Sequence, residues 1–259
     1  MGRRLIYIRP AATPAYNPLT LAWIAATGET DTTILNALNT FEQGLIDNSL
    51  TGKFNAIYPF VGGDSTKHSF NFINTLTFQL AFFGVWTHSA TGAFPTNGSY
   101  ANTGLTPSTT LSLNDAHLSV YTRTNTNIGV DIGSSVTGPT RHCYLTARSV
   151  GNYIGNINQA TNSLVANANS QGWFTTSRTG ATTLTGYKNG TSILASVDVS
   201  TAGSTQPIYI AARNIDGGVV NSSVREQAFA SIGSGLTAGE VSTLYTLIQA
   251  MQTSLSRNV

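Results

Sequence analysis

The sequence predicts an all-β protein in which two antiparallel sheets stack into a sandwich. About a dozen short runs, rich in aromatic and β-branched residues, are separated by Gly, Asn, Ser or Pro at spacings of about 10 to 15 residues. Only 9% of the 259 residues are charged, where about a quarter is usual, and Ser, Thr, Asn and Gly take their place. A chain of this length suits one main domain of this class.

Residues 1–30 are predicted to form an extended attachment arm. Three of the eight prolines, Pro10, Pro14 and Pro18, fall in this segment among large apolar side chains. Prolines at this density interrupt regular elements, whereas apolar groups favour burial, so we expect the arm to lie against another protein. The residues predicted to make this attachment are Arg3, Arg4, Leu5, Tyr7, Ile8 and Trp23.

The domain itself is expected over residues 31–259, and it begins with a helix over about 33–47. Apolar residues recur there at helical spacings of four, three and four, and Asp31 or Thr32 can cap the first turn. The apolar positions are Ile34, Leu38, Phe41 and Leu45.

Two local signals stand out in the strand region that follows. Asn189-Gly190 separates two alternating runs, and both residues tolerate the positive φ of a tight hairpin turn. Gly62-Gly63 lies between two apolar runs and is interpreted as a strand corner, at which no helix begins. It is a poor phosphate site, because the carboxylate of Asp64 follows directly.

The C-terminal segment is predicted to be a helix over about 238–254. Thr237 and Glu240 have the spacing of a capping box, and an apolar stripe with steps of three and four follows them. The stripe can dock on the sandwich, pair with the first helix or form a seam between subunits.

Net charge, cysteine content and targeting motifs limit the classes of function and the compartment that fit this sequence. A net charge of +2 does not favour nucleic acid, and Arg257 with the arginines of the first ten residues is interpreted as a solvated end or a contact with an acidic partner. Cys143 stands alone, which excludes an internal disulfide framework. No secretion signal, lipidation motif or membrane-spanning run is present, so synthesis in the cytoplasm is expected.

The sequence offers no recognisable catalytic pattern, so we expect neither enzymatic activity nor a cofactor. The eleven carboxylates do not alternate along any strand as the acid pairs of sandwich glycosidases do. The four histidines are too far apart in sequence to indicate zinc, and no nucleophile elbow or phosphate-binding loop is found. Those histidines are His68, His88, His117 and His142.

Two kinds of ligand site stay open. Calcium could bind loop carboxylates near Asp64, Asp115 or Asp216, although no two of these are neighbours. A sugar could stack on an exposed aromatic ring, although a core position is the alternative for each of them. The aromatic candidates are Trp86, Tyr100, Trp173 and Tyr187.

Four segments together resemble a family of virion proteins of tailed bacteriophages, with crAss-like phages among its carriers. They are residues 56–63 (AIYPFVGG), 84–125, 187–193 (YKNGTSI) and 229–257. The resemblance covers about residues 31–257 and leaves the arm outside. Members of this family have a concanavalin A-like or laminin-G-like jelly-roll domain.

The resemblance implies a structural or adhesive protein of the virion, such as a capsid decoration or a head or tail fibre component. It carries no catalytic residues to this chain. It implies attachment to other virion proteins, here through the arm, with a homo-oligomer expected and no membrane partner. Within this frame the sequence leaves open an architectural role and an adhesin role toward host-surface glycans.

Overall fold

In the computed structural model, which describes residues 16–259, two sheets stack into a jelly-roll sandwich, as predicted. The first sheet has eight strands. They are β1 (Phe54–Tyr58), β3 (Trp86–Ser89), β4 (Gly92–Pro95), β6 (Ala116–Thr122), β11 (Gly172–Gly180), β12 (Thr183–Lys188), β13 (Thr191–Ser196) and β17 (Gln227–Gly233). Their spatial order is β13-β12-β11-β6-β17-β4-β3, and β1 also pairs with β17.

The second sheet has nine strands. They are β2 (Ala81–Phe83), β5 (Tyr100–Asn102), β7 (Ile132–Thr137), β8 (Thr140–Ser149), β9 (Asn152–Gln159), β10 (Leu164–Ala166), β14 (Tyr209–Ile210), β15 (Arg213–Ile215) and β16 (Gly218–Val220). The order is β10-β9-β8-β7-β14-β5-β2. All described pairs are antiparallel except that of β15 with β7, which is parallel and brings β16 alongside.

A helical layer covers the outer face of the first sheet. It contains α1 (Pro18–Thr27), α2 (Thr32–Asp47) and α5 (Ala238–Ser254), while α3 (Ser65–Ser69) and α4 (Pro107–Thr110) are single turns elsewhere. In β6, Leu118 and Val120 face the second sheet and Tyr121 faces the helices, so this strand is buried on both sides. α5 both docks on the sandwich and packs against α2, which combines two of the three arrangements left open above.

The predicted turn and cap signals are confirmed. Asp31 accepts a hydrogen bond from the Thr33 amide at 2.8 Å at the start of α2. Thr237 and Glu240 form the reciprocal capping box of α5. Asn189 and Gly190 have φ values of 49° and 78° and join β12 to β13. None of the helices in the described residues is long and apolar enough to cross a membrane.

The prediction of an extended arm over residues 1–30 is wrong for its second half. α1 begins at Pro18, where the ring takes a first-turn position whose missing amide costs nothing. Trp23, predicted to contact the particle, is fully buried in the chain's own helical layer, between Phe70 and Phe72. The remaining predicted attachment residues lie outside the described part of the chain. They are Arg3, Arg4, Leu5, Tyr7 and Ile8.

Two further interpretations need correction. A short helix does begin after the Gly62-Gly63 corner, because the Asp64 carboxylate accepts the Lys67 amide at 2.9 Å and caps α3. Arg257 is a buried residue and not a solvated end: its guanidinium donates to the carbonyls of Pro59, Phe60 and Ala228. A guanidinium has five N–H donors, so one side chain can satisfy several carbonyls at once.

Candidate functional site

An aromatic row crosses the outer face of the second sheet, on the side of the sandwich opposite the helical layer. Phe83 and Tyr100 lie directly opposite each other on β2 and β5, and their rings stack at 4.8 Å with an angle of 9°. Tyr100 also stacks on Tyr209 of β14 at 4.3 Å. Tyr144 of β8 continues the row on the far side of β7.

Strand alternation sets the direction of these rings. Neighbours of the row residues, among them Phe82, Ala101 and Ile210, contribute to the core between the sheets. Because successive side chains of a strand point to opposite faces, the row residues point outward. From Phe83 to Tyr144 there are four strand-to-strand steps, so the row spans about 19 Å.

A glycine makes the gap in the row. Gly133 of β7 pairs with Tyr209 on one side and Tyr144 on the other. Its φ is +151°, and a Cβ at this position would lie 2.1 Å from the Cβ of Tyr144. A side chain here would therefore displace Tyr144, so this position of the row carries no side chain.

Arg213 lies next to this gap. It starts β15, whose next residue, Asn214, pairs with Ser134 of β7. Its guanidinium carbon lies 4.4 Å from the centroid of the Tyr144 ring, a cation–π contact. On the other side, the Tyr144 hydroxyl donates to Asn162 Oδ1 at 2.7 Å, and the Asn156 amide reaches the same oxygen at 3.2 Å.

Exposure varies along the row. Phe83 is 45% exposed, and Tyr100, Asn102 and Arg213 are half-buried, whereas Tyr144 and Tyr209 are buried beneath their neighbours. Tyr100 is stacked between Phe83 and Tyr209, so the Phe83 end offers aromatic surface for stacking, and the Arg213 end offers a cation beside amides and hydroxyls.

The sequence named only one member of this row. Tyr100 belongs to it, while Trp173 and Tyr187 are buried in the helical layer's core. Trp86 packs against the edge of the core between the sheets and donates to the Phe83 carbonyl at 3.0 Å. Phe83, Tyr144 and Tyr209 come from strands far apart in sequence, and only the sheet order brings them together.

Every one of the eleven carboxylates has a structural partner. Seven accept a hydrogen bond from a backbone amide at or near a turn or helix end, or bond a neighbouring side chain: Asp31, Asp47, Asp64, Asp115, Asp198, Asp216 and Glu42. The other four form ion pairs with Lys or Arg: Glu29, Asp131, Glu226 and Glu240. The row contains no carboxylate.

The histidines also have structural surroundings. His117 is fully buried between Ser231 and the Ser234 carbonyl, and burial lowers its pKa to about 4. His68 and His88 approach each other with their Nδ1 atoms 2.9 Å apart, and burial, then His88, lowers the pKa of His68 to about 3. His142 stands edge-on to Tyr144 at 5.5 Å. Within residues 16–259, no three His, Cys, Asp or Glu side chains cluster as metal ligands would.

A groove of about 330 Å³ runs between α2 and α5 on the helical side. The two helices touch closely at Gly44, where a Cβ would lie 2.3 Å from Leu247 Cδ2, and they separate toward Thr33 and Ser254. The floor is formed by Ala37, Phe41 and Met251, and threonine, asparagine and serine side chains form the rim.

The described chain enters on this helical side. The Asn17 amide donates to Asn39 Oδ1 of α2 at 2.7 Å. The amides of Leu19 and Thr20 at the start of α1 both donate to the buried carboxylate of Glu42 at 2.8 Å. The described part of the chain therefore begins at the helical layer.

Comparison with known proteins gives a fold and no family. No family model matches the chain, and no curated protein matches its sequence. Among solved structures, a Trypanosoma rangeli sialidase in complex with the inhibitor DANA has a TM-score of 0.52 at 12% identity over 82% of this chain and 38% of the sialidase. The binding domain of botulinum neurotoxin serotype D has a TM-score of 0.50 at 11% identity, covering 77% of this chain and 53% of that one. Both likenesses show a shared sandwich fold.

Proposed function

We propose that the chain is a non-enzymatic structural protein of a tailed-phage virion, a capsid decoration or a fibre component, and that the aromatic row binds a glycan of the host surface. The observation that carries the glycan proposal is the row itself, with exposed rings at one end and hydrogen-bonding groups at the other. Sugar rings present C–H faces that pack on aromatic rings, and hydroxyls that pair with amides. The virion assignment depends on the sequence resemblance.

The two outer faces of the sandwich differ in a way that supports separate roles, attachment on one face and glycan binding on the other. The helical layer, where the N-terminal segment enters and the groove lies, is available for attachment to the particle. The aromatic row faces the opposite side. A module arranged this way can be anchored and still present its second sheet outward.

A glycan array with the purified full chain tests the binding proposal. We expect the chain to bind at least one bacterial surface oligosaccharide. We expect Tyr100→Ala to weaken that binding by about tenfold, because the Tyr100 ring supports the exposed ring of Phe83 on which a sugar can stack. Tyr245→Ala is the matched control, because Tyr245 stacks on Trp173 in the helical layer. Failure to bind any oligosaccharide, or equal binding by Tyr100→Ala, would reject it.

The proposal of a non-enzymatic role has its own test. Each of the eleven carboxylates already bonds a helix end, a turn, a neighbouring side chain or a basic side chain, which supports it. Incubation of the full chain with host polysaccharides should release no reducing ends, and release at a rate above a heat-denatured control would contradict it.

A purely architectural protein is the second candidate, and the groove between α2 and α5 favours it. Its apolar floor suits a partner protein better than a sugar. In this case the chain, as a homo-oligomer, would join the particle through the helical layer and residues 1–15. Particles assembled with a chain lacking residues 1–15 should lose this protein, whereas the Tyr100→Ala chain should be incorporated normally.

A further inference from the structure

We propose that the glycan recognised by the aromatic row is anionic, and that Arg213 binds its carboxylate or phosphate group. This inference rests on the proposed glycan-binding function and names the class of ligand. It is carried by the position, burial and missing partners of one arginine.

Arg213 forms no ion pair with any described residue. All Asp and Glu side chains of the protein lie within the described residues, and each of them is engaged elsewhere. The nearest acidic residue in sequence, Asp216, bonds the amide and hydroxyl of Thr137. The chain therefore supplies no anion to this cation.

The guanidinium is also partly removed from water. Its Nε atom is buried and has no hydrogen-bond partner within residues 16–259, and its guanidinium carbon lies 4.4 Å from the centroid of the Tyr144 ring. A partly desolvated cation without a counter-charge is costly, and the cost falls when an anion binds. The contact with Tyr144 restricts the guanidinium in advance, so less side-chain freedom is lost on binding.

The surroundings complete a site for a charged sugar. Asn162 is exposed, and its Oδ1 accepts from the Tyr144 hydroxyl, so Arg213 and Asn162 both contact Tyr144, and the Asn162 amide nitrogen has no hydrogen-bond partner among the described residues. Tyr209 is next to the same glycine gap and leads to the stacked rings of Tyr100 and Phe83. An anionic group at Arg213 would thus leave the rest of an oligosaccharide along the row.

The planar fork of arginine suits a carboxylate or a phosphate, and both occur on bacterial surface sugars. The test uses two series: uronic acid oligosaccharides beside their methyl esters, and sugar phosphates beside the unphosphorylated sugars. Titration calorimetry with the full chain gives a Kd for each pair. We expect at least one anionic form to bind about tenfold more tightly than its neutral counterpart. The series in which this happens identifies the group.

Arg213→Gln should remove this preference, so that its affinities for the anionic and the neutral form of the sugar differ by no more than about twofold. Arg141→Gln is the matched control, since it removes the same charge from the same sheet. Arg141 is three residues before Tyr144 in β8, so its side chain lies on the opposite face of the strand. Arg213→Lys keeps the charge without the fork and should fall between the two. Circular dichroism spectra that match the parent protein show that each variant is folded.

The outcomes separate the two proposals. Equal affinity for charged and neutral sugars, or a preference that survives in Arg213→Gln, would overturn this inference and leave glycan binding intact. No binding of any sugar in either series would overturn both.

Discussion

At the scale of single residues, three fully buried arginines tie distant segments together: Arg178, Arg225 and Arg257. Only Arg225 has a carboxylate partner, Asp131 at 2.7 Å. Arg178 and Arg257 donate mainly to backbone carbonyls. They donate hydrogen bonds to backbone carbonyls near the ends of strands, where no neighbouring strand supplies an amide donor.

Arg257→Leu should destabilise the protein by about 3 kcal/mol or more. Burial lowers the pKa of Arg257 to about 9, so the charge is already costly, and leucine relieves that cost. The loss of partners for the carbonyls of Pro59 and Phe60 outweighs the relief, because each stranded carbonyl costs about 1–3 kcal/mol. The Ala228 carbonyl keeps the Gln252 side-chain amide at 3.3 Å. Urea unfolding measures the change.

Arg141→Leu is the control for this experiment, since Arg141 is half-buried and makes one weak contact of 3.5 Å with the Gly203 carbonyl. A loss of about 1 kcal/mol at most is expected there. If the urea midpoints of Arg257→Leu and Arg141→Leu were equal, the buried guanidinium of Arg257 would not stabilise the fold.

Buried histidines should make the protein sensitive to acid. The pKa of His117 falls from 6.5 to about 4 in the folded state, mainly through burial, so protonation favours unfolding. Stability is therefore complete above about pH 6.5 and is lost as the pH falls toward 4, by about 3 kcal/mol for this residue. His117→Gln should flatten the dependence of the unfolding free energy on pH across this interval, and an unchanged slope would contradict the assignment.

At the scale of elements, one buried carboxylate of α2 holds the first turn of α1 in place. Glu42 is buried and accepts hydrogen bonds from two amides of the first turn of α1 and from the Thr20 hydroxyl. A negative charge at a helix N-terminus is stabilised by the helix dipole. The prolines of residues 1–30 predicted an extended arm and not this helix. In the structure the Asn17 side chain contacts Gln43 and makes no capping hydrogen bond, so the cap is supplied by Glu42 of α2.

Glu42→Ala should release α1 and cost about 2–3 kcal/mol, because charge-assisted hydrogen bonds are lost. The fluorescence of Trp23, which is fully buried beside Phe70 and Phe72, should then shift to longer wavelength. Gln43→Ala removes only two exposed contacts, with Asn17 and Asp47, and should leave stability within about 0.5 kcal/mol. Identical spectra for the two variants would refute the role of Glu42.

The aromatic row also requires a glycine at position 133 of β7. Gly133→Ala should cost about 3 kcal/mol or more, because the new Cβ meets both Cβ and Cα of Tyr144 and a carbonyl of Cys143. Gly151→Ala, also at positive φ but with nothing within 4 Å, should cost only about 1 kcal/mol. Thermal unfolding compares them, and similar losses would mean that the close contact with Tyr144 is not limiting.

At the scale of the whole molecule, local sequence signals are sufficient to predict the architecture, but they do not predict the candidate site. The Asn189-Gly190 hairpin, the Thr237–Glu240 capping box and the strand periodicity each act over a few residues, so the sequence predicts them directly. Phe83, Tyr144, Tyr209 and Arg213 are adjacent only because β2, β8, β14 and β15 meet in one sheet. Sheet order depends on long-range packing, and no short pattern encodes it.

The molecule as a whole has two unlike outer faces. Helices, the groove and the entry of the N-terminal segment occupy one, and the row with Arg213 occupies the other. This arrangement is the basis for proposing that one side attaches and the other side binds.

The most direct test of the proposed virion role is a cryo-electron microscopy map of a tailed-phage particle assembled with this protein. We predict that α1, α2 and α5 contact the neighbouring virion protein and that Phe83, Tyr100 and Arg213 face the solvent outside the particle. A map in which the second sheet is buried against capsid or tail, with the helical layer facing outward, would contradict it.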